Sequence, residues 1–237
     1  MLAQMIKIND LADWRLSDAD FLKVFRLAQK GSGRLKELYP FPREDRITFN
    51  EEKHEYKIDG RVAPRSVTKL LHEYASEFDP IRALNDMKNG RDWETKKLEF
   101  EEIGTNDDDI LKLWERNGEV SRSRGTLLHY HCEYMMNGED VDEPHSPEFT
   151  QAKHIFYEYL LGEGYEAYRA EVNIFHCGLQ VAGQPDALMK DKDGKVIIVD
   201  WKRSKNIRME SRLNLKYPLD HIPDSNYWLY ALQATLL

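Results

Sequence analysis

The stretch from Gly183 to Lys202 constrains this chain more than any other. Val181-Ala182 and Ala187-Leu188-Met189 on one side, and Lys195-Val196-Ile197-Ile198-Val199 on the other, flank the turn cluster Lys190-Asp191-Lys192-Asp193-Gly194. Apolar and β-branched arms around an Asp-Gly turn predict a β-hairpin, and that hairpin brings Asp186 back beside Asp200. Alternate side chains of an extended strand share a face, so Asp200 and Lys202 project together while Trp201 points away. The apolar run Val196–Val199 before Asp200 predicts a buried central strand, where an ionised group needs a metal, a partner or a task. Two carboxylates are hard oxygen donors suited to Mg²⁺ or Mn²⁺. A lysine beside them can orient or deprotonate a water, or offset charge on a phosphoryl transition state.

Gly183-Gln184-Pro185-Asp186 followed by Asp200-Trp201-Lys202 resembles the signature of the PD-(D/E)XK nuclease superfamily. Upstream, Arg124-Gly125-Thr126-Leu127-Leu128-His129, in a helical pattern running on to Gly138, resembles the Gly-Thr-x-x-His helix of its RecB-like branch. The resemblance implies that His129, Asp186, Asp200 and the Trp201 carbonyl hold the metal, with Lys202 as the catalytic lysine. It further implies that Glu171, on a first core strand read over Tyr165–Phe175, lies near the metal, and that Gln233, in the terminal helix Ser225–Gln233, sits near the lysine or the phosphate. Glu133, one turn beyond His129, is a candidate to orient the imidazole, and His131 falls on another face of the helix.

The implied fold is α/β, of the α+β kind: a restriction-endonuclease-like core whose central mixed sheet is flanked by helices. Residues 118–237 are read as this core and residues 1–117 as an N-terminal helical and hairpin region. Leu237 falls inside an apolar helical run without a cap, so the chain reads either as a fragment or as a reduced core lacking the last strand. Within the N-terminal region, Arg46–Phe49, His54–Ile58 and Arg61-Val62 read as short strands, with Asp59-Gly60 as a tight turn and Ser66 capping a helix over Val67–Leu71. Phage-type and organellar RecB-like exonucleases carry a similar prelude, which implies a helical wall beside a DNA strand. Further upstream, Leu11, Trp14, Leu16, Phe21, Val24, Phe25 and Leu27 suggest helices broken at Gly31-Ser32-Gly33.

A net charge of −8 opposes nucleic-acid binding, because phosphates attract cations. Its distribution does not. Lys202, Arg203, Lys205, Arg208, Arg212 and Lys216 follow the catalytic strand against Glu210 alone, and Arg122 and Arg124 face them from the His129 helix. These predict a phosphate-tracking surface, with Tyr230 a candidate to stack on bases. The acidic stretches Glu99–Asp109 and Glu139–Glu143 are read as distal surface. Two cysteines, Cys132 and Cys177, are too few for a four-cysteine iron-sulfur cluster and fit a reducing, intracellular setting. A mean hydropathy of −0.69, with no apolar run near the ~20 residues of a membrane span, predicts a soluble chain. The expectation is a Mg²⁺- or Mn²⁺-dependent deoxyribonuclease acting on DNA ends or single strands. An endonuclease on the same fold and a non-catalytic DNA-binding module are the alternatives, and oligomeric state is left open.

Overall fold

A computed structural model describes residues 33–50, 53–98, 100, 106–139 and 146–237. The helices expected around Leu11–Leu27 lie outside them. Among the described residues, the α-helices are α1 (Arg34–Leu38), α2 (Val67–Tyr74), α3 (Pro80–Lys88), α4 (Trp93–Leu98), α5 (Asp107–Met136), α6 (Pro147–His154), continued by a π-helical stretch over Ile155–Leu161, and α7 (Asn226–Leu236). The strands are β1 (Ile47–Asn50), β2 (Glu55–Ile58), β3 (Arg61–Val62), β4 (Arg65–Ser66), β5 (Glu166–Ala170), β6 (Ile174–His176), β7 (Val181–Gly183), β8 (Ala187–Lys190) and β9 (Val196–Val199). The protein is therefore a mixed α/β chain. Its strands form three small sheets, β1-β2-β3, β4-β7-β6 and β5-β8-β9, in place of the one central sheet expected.

The hairpin β8–β9 forms where the turn chemistry places it. Gly194 adopts φ 81°, Asp191 N donates to Lys195 O at 2.9 Å, and Asp191 Oδ1 accepts from Asp193 N and Lys195 N. The expected order of burial is reversed, however. β8 is the central strand, with Ala187, Leu188 and Met189 all buried, whereas β9 lies at the edge with Val196 and Ile198 exposed. Only Ile197 and Val199 turn inward onto the main core. An apolar run of four is compatible with burial on two faces, but among the described residues only one face has a covering layer.

The single strand expected over Tyr165–Phe175 is two, broken at Glu171, which sits at φ 47°. Pro185 breaks the partner chain in the same way between β7 and β8, since proline has no N–H to offer a ladder. The two breaks face each other and are tied together: Glu171 N donates to Asp186 O at 3.1 Å, and Gln184 Nε2 donates to Glu171 O at 3.0 Å. One sheet thus splits into two at the point where both carboxylates emerge.

Helix α5 runs over 30 residues, opening on Asp107–Asp109 behind an Asn106 side-chain cap. Those acids are therefore a first helical turn favoured by the helix dipole, rather than only distal surface. In the C-terminal half, Arg124, Leu127, Leu128, His131, Cys132, Met135 and Met136 are buried at helical spacing. Leu128, Cys132, Met135 and Met136 join Phe149, Phe156, Ala187, Met189 and Trp201 in the main core, each large side chain contributing roughly 1.5–3 kcal/mol. The division expected after residue 117 falls inside this helix. A second tie crosses it as well, because β4 pairs in parallel with β7.

The prelude forms as read: β1–β2–β3 is antiparallel, Asp59 and Gly60 take positive φ, and Lys69 N donates to the Ser66 hydroxyl at 3.1 Å. Gly183 lies at a close approach to two side chains. A Cβ there would lie 2.5 Å from Leu237 Cδ2 and 3.1 Å from Val67 Cγ2. Gly183→Ala is expected to cost about 1–3 kcal/mol, read as a lower thermal midpoint. An unchanged midpoint would mean that α2 and α7 move apart freely.

Candidate metal centre

Three elements converge at the break between the sheets. The buried stripe of α5 fixes Leu128 and Cys132 in the core, which leaves the half-buried His129 on the flank facing the strands. The imidazole Nε2 lies 2.8 Å from the Trp201 carbonyl. A carbonyl only accepts, so Nε2 donates to it, and Nδ1 is the ring atom turned toward the acids. That Nδ1 lies 3.5 Å from Asp186 Oδ1 and 4.0 Å from Glu171 Oε1. His129, Glu171 and Asp186 each offer a donor atom, and the three lie within 4.8 Å of one another. The Trp201 carbonyl, expected as a metal ligand, here orients the histidine, the task the sequence suggested for Glu133.

Asp186 is buried, and its second oxygen accepts from Trp201 N at 2.6 Å. Burial raises its carboxyl above the ordinary range, and the nearby Asp200 charge adds to the rise; His129, Lys202 and the Trp201 N–H act the other way. Burial pushes the Cys132 thiol up, and the negative charges of Asp186 and Glu171 add to the rise. Anionic groups held together in a partly dry site are the condition that a cation relieves.

Asp200 stands beside this group, but its oxygens point elsewhere. Oδ2 pairs with Lys202 Nζ at 2.7 Å and Oδ1 meets Gln233 Nε2 at 3.5 Å. Asp200 and Lys202 thus share a side while Trp201 is buried opposite, as the alternation of an extended chain requires. Tyr230, expected to stack on bases, instead lies half-buried with its ring 5.6 Å from Lys202 Nζ.

Two of the expected phosphate contacts are corrected. Arg124 is buried and pairs with Glu148 at 2.7 Å, and Arg203 Nε reaches the same carboxylate at 2.7 Å while Nη1 donates to Ser121 Oγ. The two guanidiniums hold the Glu148 carboxyl below its usual range against the opposing effect of burial. They join α5, α6 and the segment after β9. Nothing in the sequence marks Glu148, because its partners lie 24 and 55 residues away. Arg122, Lys205 and Arg208 remain exposed.

Comparison with known proteins brings none alongside this chain. No family model, no curated protein and no solved structure matches it. Among the described residues, no helix is long and apolar enough to cross a membrane.

Proposed function

We propose that this chain is a divalent-metal-dependent deoxyribonuclease with a restriction-endonuclease-like core, similar to the RecB-like branch of the PD-(D/E)XK superfamily, hydrolysing phosphodiester bonds at DNA ends or in single strands. The observation that carries the reading is the His129–Glu171–Asp186 group within 4.8 Å, with the Asp200–Lys202 pair at its side.

The donor set fits Mg²⁺ or Mn²⁺: two carboxylates offer hard oxygens, and a neutral imidazole nitrogen favours Mn²⁺ somewhat more than Mg²⁺. His129, Glu171 and Asp186 would hold the ion, with Asp200 the adjacent carboxylate. When bound, the ion supplies positive charge to the oxygens of the scissile phosphate. The remaining chemistry belongs to the chain. Lys202, kept in place by Asp200 and the Tyr230 ring, directs an ammonium toward the phosphate, where it orients the attacking water and offsets developing charge. Gln233 holds the other Asp200 oxygen and thereby limits how far the Asp200–Lys202 pair can turn. The Trp201 carbonyl holds the His129 ring through Nε2.

The test joins calorimetry with Mn²⁺ to digestion of linear and closed circular DNA in single- and double-stranded forms. Metal binding together with loss of linear or single-stranded substrate is the expected result. Cutting of closed duplex circles would make the protein an endonuclease. Absence of metal binding up to millimolar concentration would leave a non-catalytic DNA-binding module.

A further inference from the structure

Residues Asp200 to Arg203 lie beyond the last ladder pair of the β8–β9 hairpin, Ala187 with Val199, and among the described residues no strand continues over them. Side chains hold this stretch instead. On one side of Lys202, Trp201 N donates to Asp186 Oδ2 and Trp201 O accepts from His129 Nε2, so that tie belongs to the metal group. On the other side, Arg203 Nε donates to Glu148 Oε1 at 2.7 Å and Nη1 donates to Ser121 Oγ at 3.2 Å. Beyond Arg203 the chain is exposed over residues 204–214, and the bond from Asn226 Nδ2 to Ser204 Oγ is 3.3 Å long. The Glu148 carboxylate is itself fixed. It stands in the first turn of α6, whose Phe149 and Ala152 are buried in the main core, and Arg124 Nη2 of α5 reaches it at 2.7 Å. Glu148 thus binds the backbone next to Lys202 to the helix that carries both Arg124 and His129.

We infer that Glu148 is a positioning residue for Lys202, acting through Arg203 and holding the lysine in place relative to the His129–Glu171–Asp186 group. The inference rests on the nuclease reading for the reaction that Lys202 serves; the tether itself does not depend on a metal. The Lys202 ammonium already has Asp200 Oδ2 at 2.7 Å and the Tyr230 ring at 5.6 Å. Asp200, however, lies on the same unpaired stretch, and α7 reaches the pair only through that ring and the 3.5 Å contact from Gln233. Two groups that can move together are not thereby fixed against a third. Glu148 supplies the fixed point, because it is anchored on α6 and clamped from α5. A displacement of about 1 Å at a reacting group costs on the order of a hundredfold in rate, so the tether acts on the chemical step and leaves substrate affinity alone. Arg203 then serves the lysine from inside the protein, with Nε and Nη1 both engaged there.

Arg203→Ala is the variant that tests this, because Glu148 keeps its pair with Arg124 and the packing of α5 on α6 is left intact. In the metal-free protein, amide exchange over residues 200–203 is expected to quicken roughly tenfold or more, with α5 and α6 unchanged. With Mn²⁺ and single-stranded DNA, kcat is expected to fall by about 10- to 100-fold, at unchanged KM and unchanged Mn²⁺ affinity by calorimetry. Adding Arg203→Ala to Lys202→Ala is expected to lower kcat no further, since the group being positioned is gone. Glu148→Gln is expected to give the same exchange and kcat changes and a lower thermal midpoint as well, since it leaves the buried Arg124 without its countercharge. Wild-type exchange in Arg203→Ala would overturn the tether, and an unchanged kcat would overturn its role. A raised KM would make Arg203 a phosphate contact, and a further loss of kcat in the Lys202→Ala background would mark general loosening; either result overturns the inference. A wild-type protein that cleaves no DNA, with exchange quickened in Arg203→Ala, upholds the tether and removes the nuclease reading alone.

Discussion

Lys202→Ala is expected to reduce DNA cleavage by about 10²–10⁴-fold while Mn²⁺ binding persists, whereas Asp186→Asn loses both. The contrast follows from position. Lys202 Nζ contacts Asp200 and the Tyr230 ring, outside the group formed by His129, Glu171 and Asp186, so its removal leaves the donor atoms intact. Asp186 supplies a donor oxygen and also accepts the Trp201 N–H. Asparagine keeps an oxygen for that hydrogen bond and discards the charge that burial disfavours. The metal-free Asp186→Asn protein is therefore expected to melt no lower than wild type, while the stabilisation by Mn²⁺, about 2.7 kcal/mol at a hundredfold excess over Kd, disappears. Thermal scans with and without Mn²⁺, beside rate measurements on single-stranded DNA, read both halves. Full activity of Lys202→Ala, or an undiminished Mn²⁺ shift in Asp186→Asn, would refute the site.

Glu44→Gln is expected to destabilise the fold by about 3–5 kcal/mol, because it leaves a buried guanidinium without its countercharge. Arg169 is 2% exposed and donates to both Glu44 oxygens, at 3.0 and 2.7 Å, and to Tyr39 O at 2.9 Å, with the Phe41 ring 5.2 Å away. At roughly 2–4 °C per kcal/mol for a chain of this size, the midpoint falls by about 6–20 °C. The pair also sets an acid dependence. Arg169, the largest influence, lowers the Glu44 carboxyl in the fold, with Lys36 adding and burial opposing. A carboxyl lowered by folding contributes stability that is present above its unfolded pKa and lost as pH falls through the folded value. The wild type is therefore expected to weaken below about pH 4.5, and Glu44→Gln to lose part of that acid sensitivity. Replacing both partners, Glu44→Gln with Arg169→Met, is expected to recover much of the loss. Denaturant titrations at neutral and acid pH measure each term, and a Glu44→Gln variant as stable as wild type would exclude the pair as an anchor.

Local chemistry made much of this chain legible. The Asp191–Gly194 turn, the Asp59-Gly60 turn, the Ser66 cap and the helix carrying His129 each depend on residues a few positions apart, so their sequence signals survive into the structure. The shared side of Asp200 and Lys202 follows from the same short-range geometry. What required the fold were the decisions made by distant partners. Val196–Val199 is apolar enough for a central strand, yet which of its faces is covered depends on elements far along the chain, and β9 became an edge. Arg124 and Arg203 read as free cations until Glu148 arrived between them.

Glu171 unites the two kinds of determination. Its neighbours have strand-forming character on both sides, and local propensity alone predicts an unbroken strand. Only the docking of its backbone against Asp186, opposite the break that Pro185 makes, turns it to φ 47° and brings its carboxylate to His129. The sequence by itself determined the types of side chain available, the hairpin, and the helix that delivers the histidine, because those are set by turn chemistry and periodicity. Tertiary structure decided which carboxylates meet the histidine and which cations pair with Glu148, because pairing between distant charges is settled only when the elements that carry them are packed together.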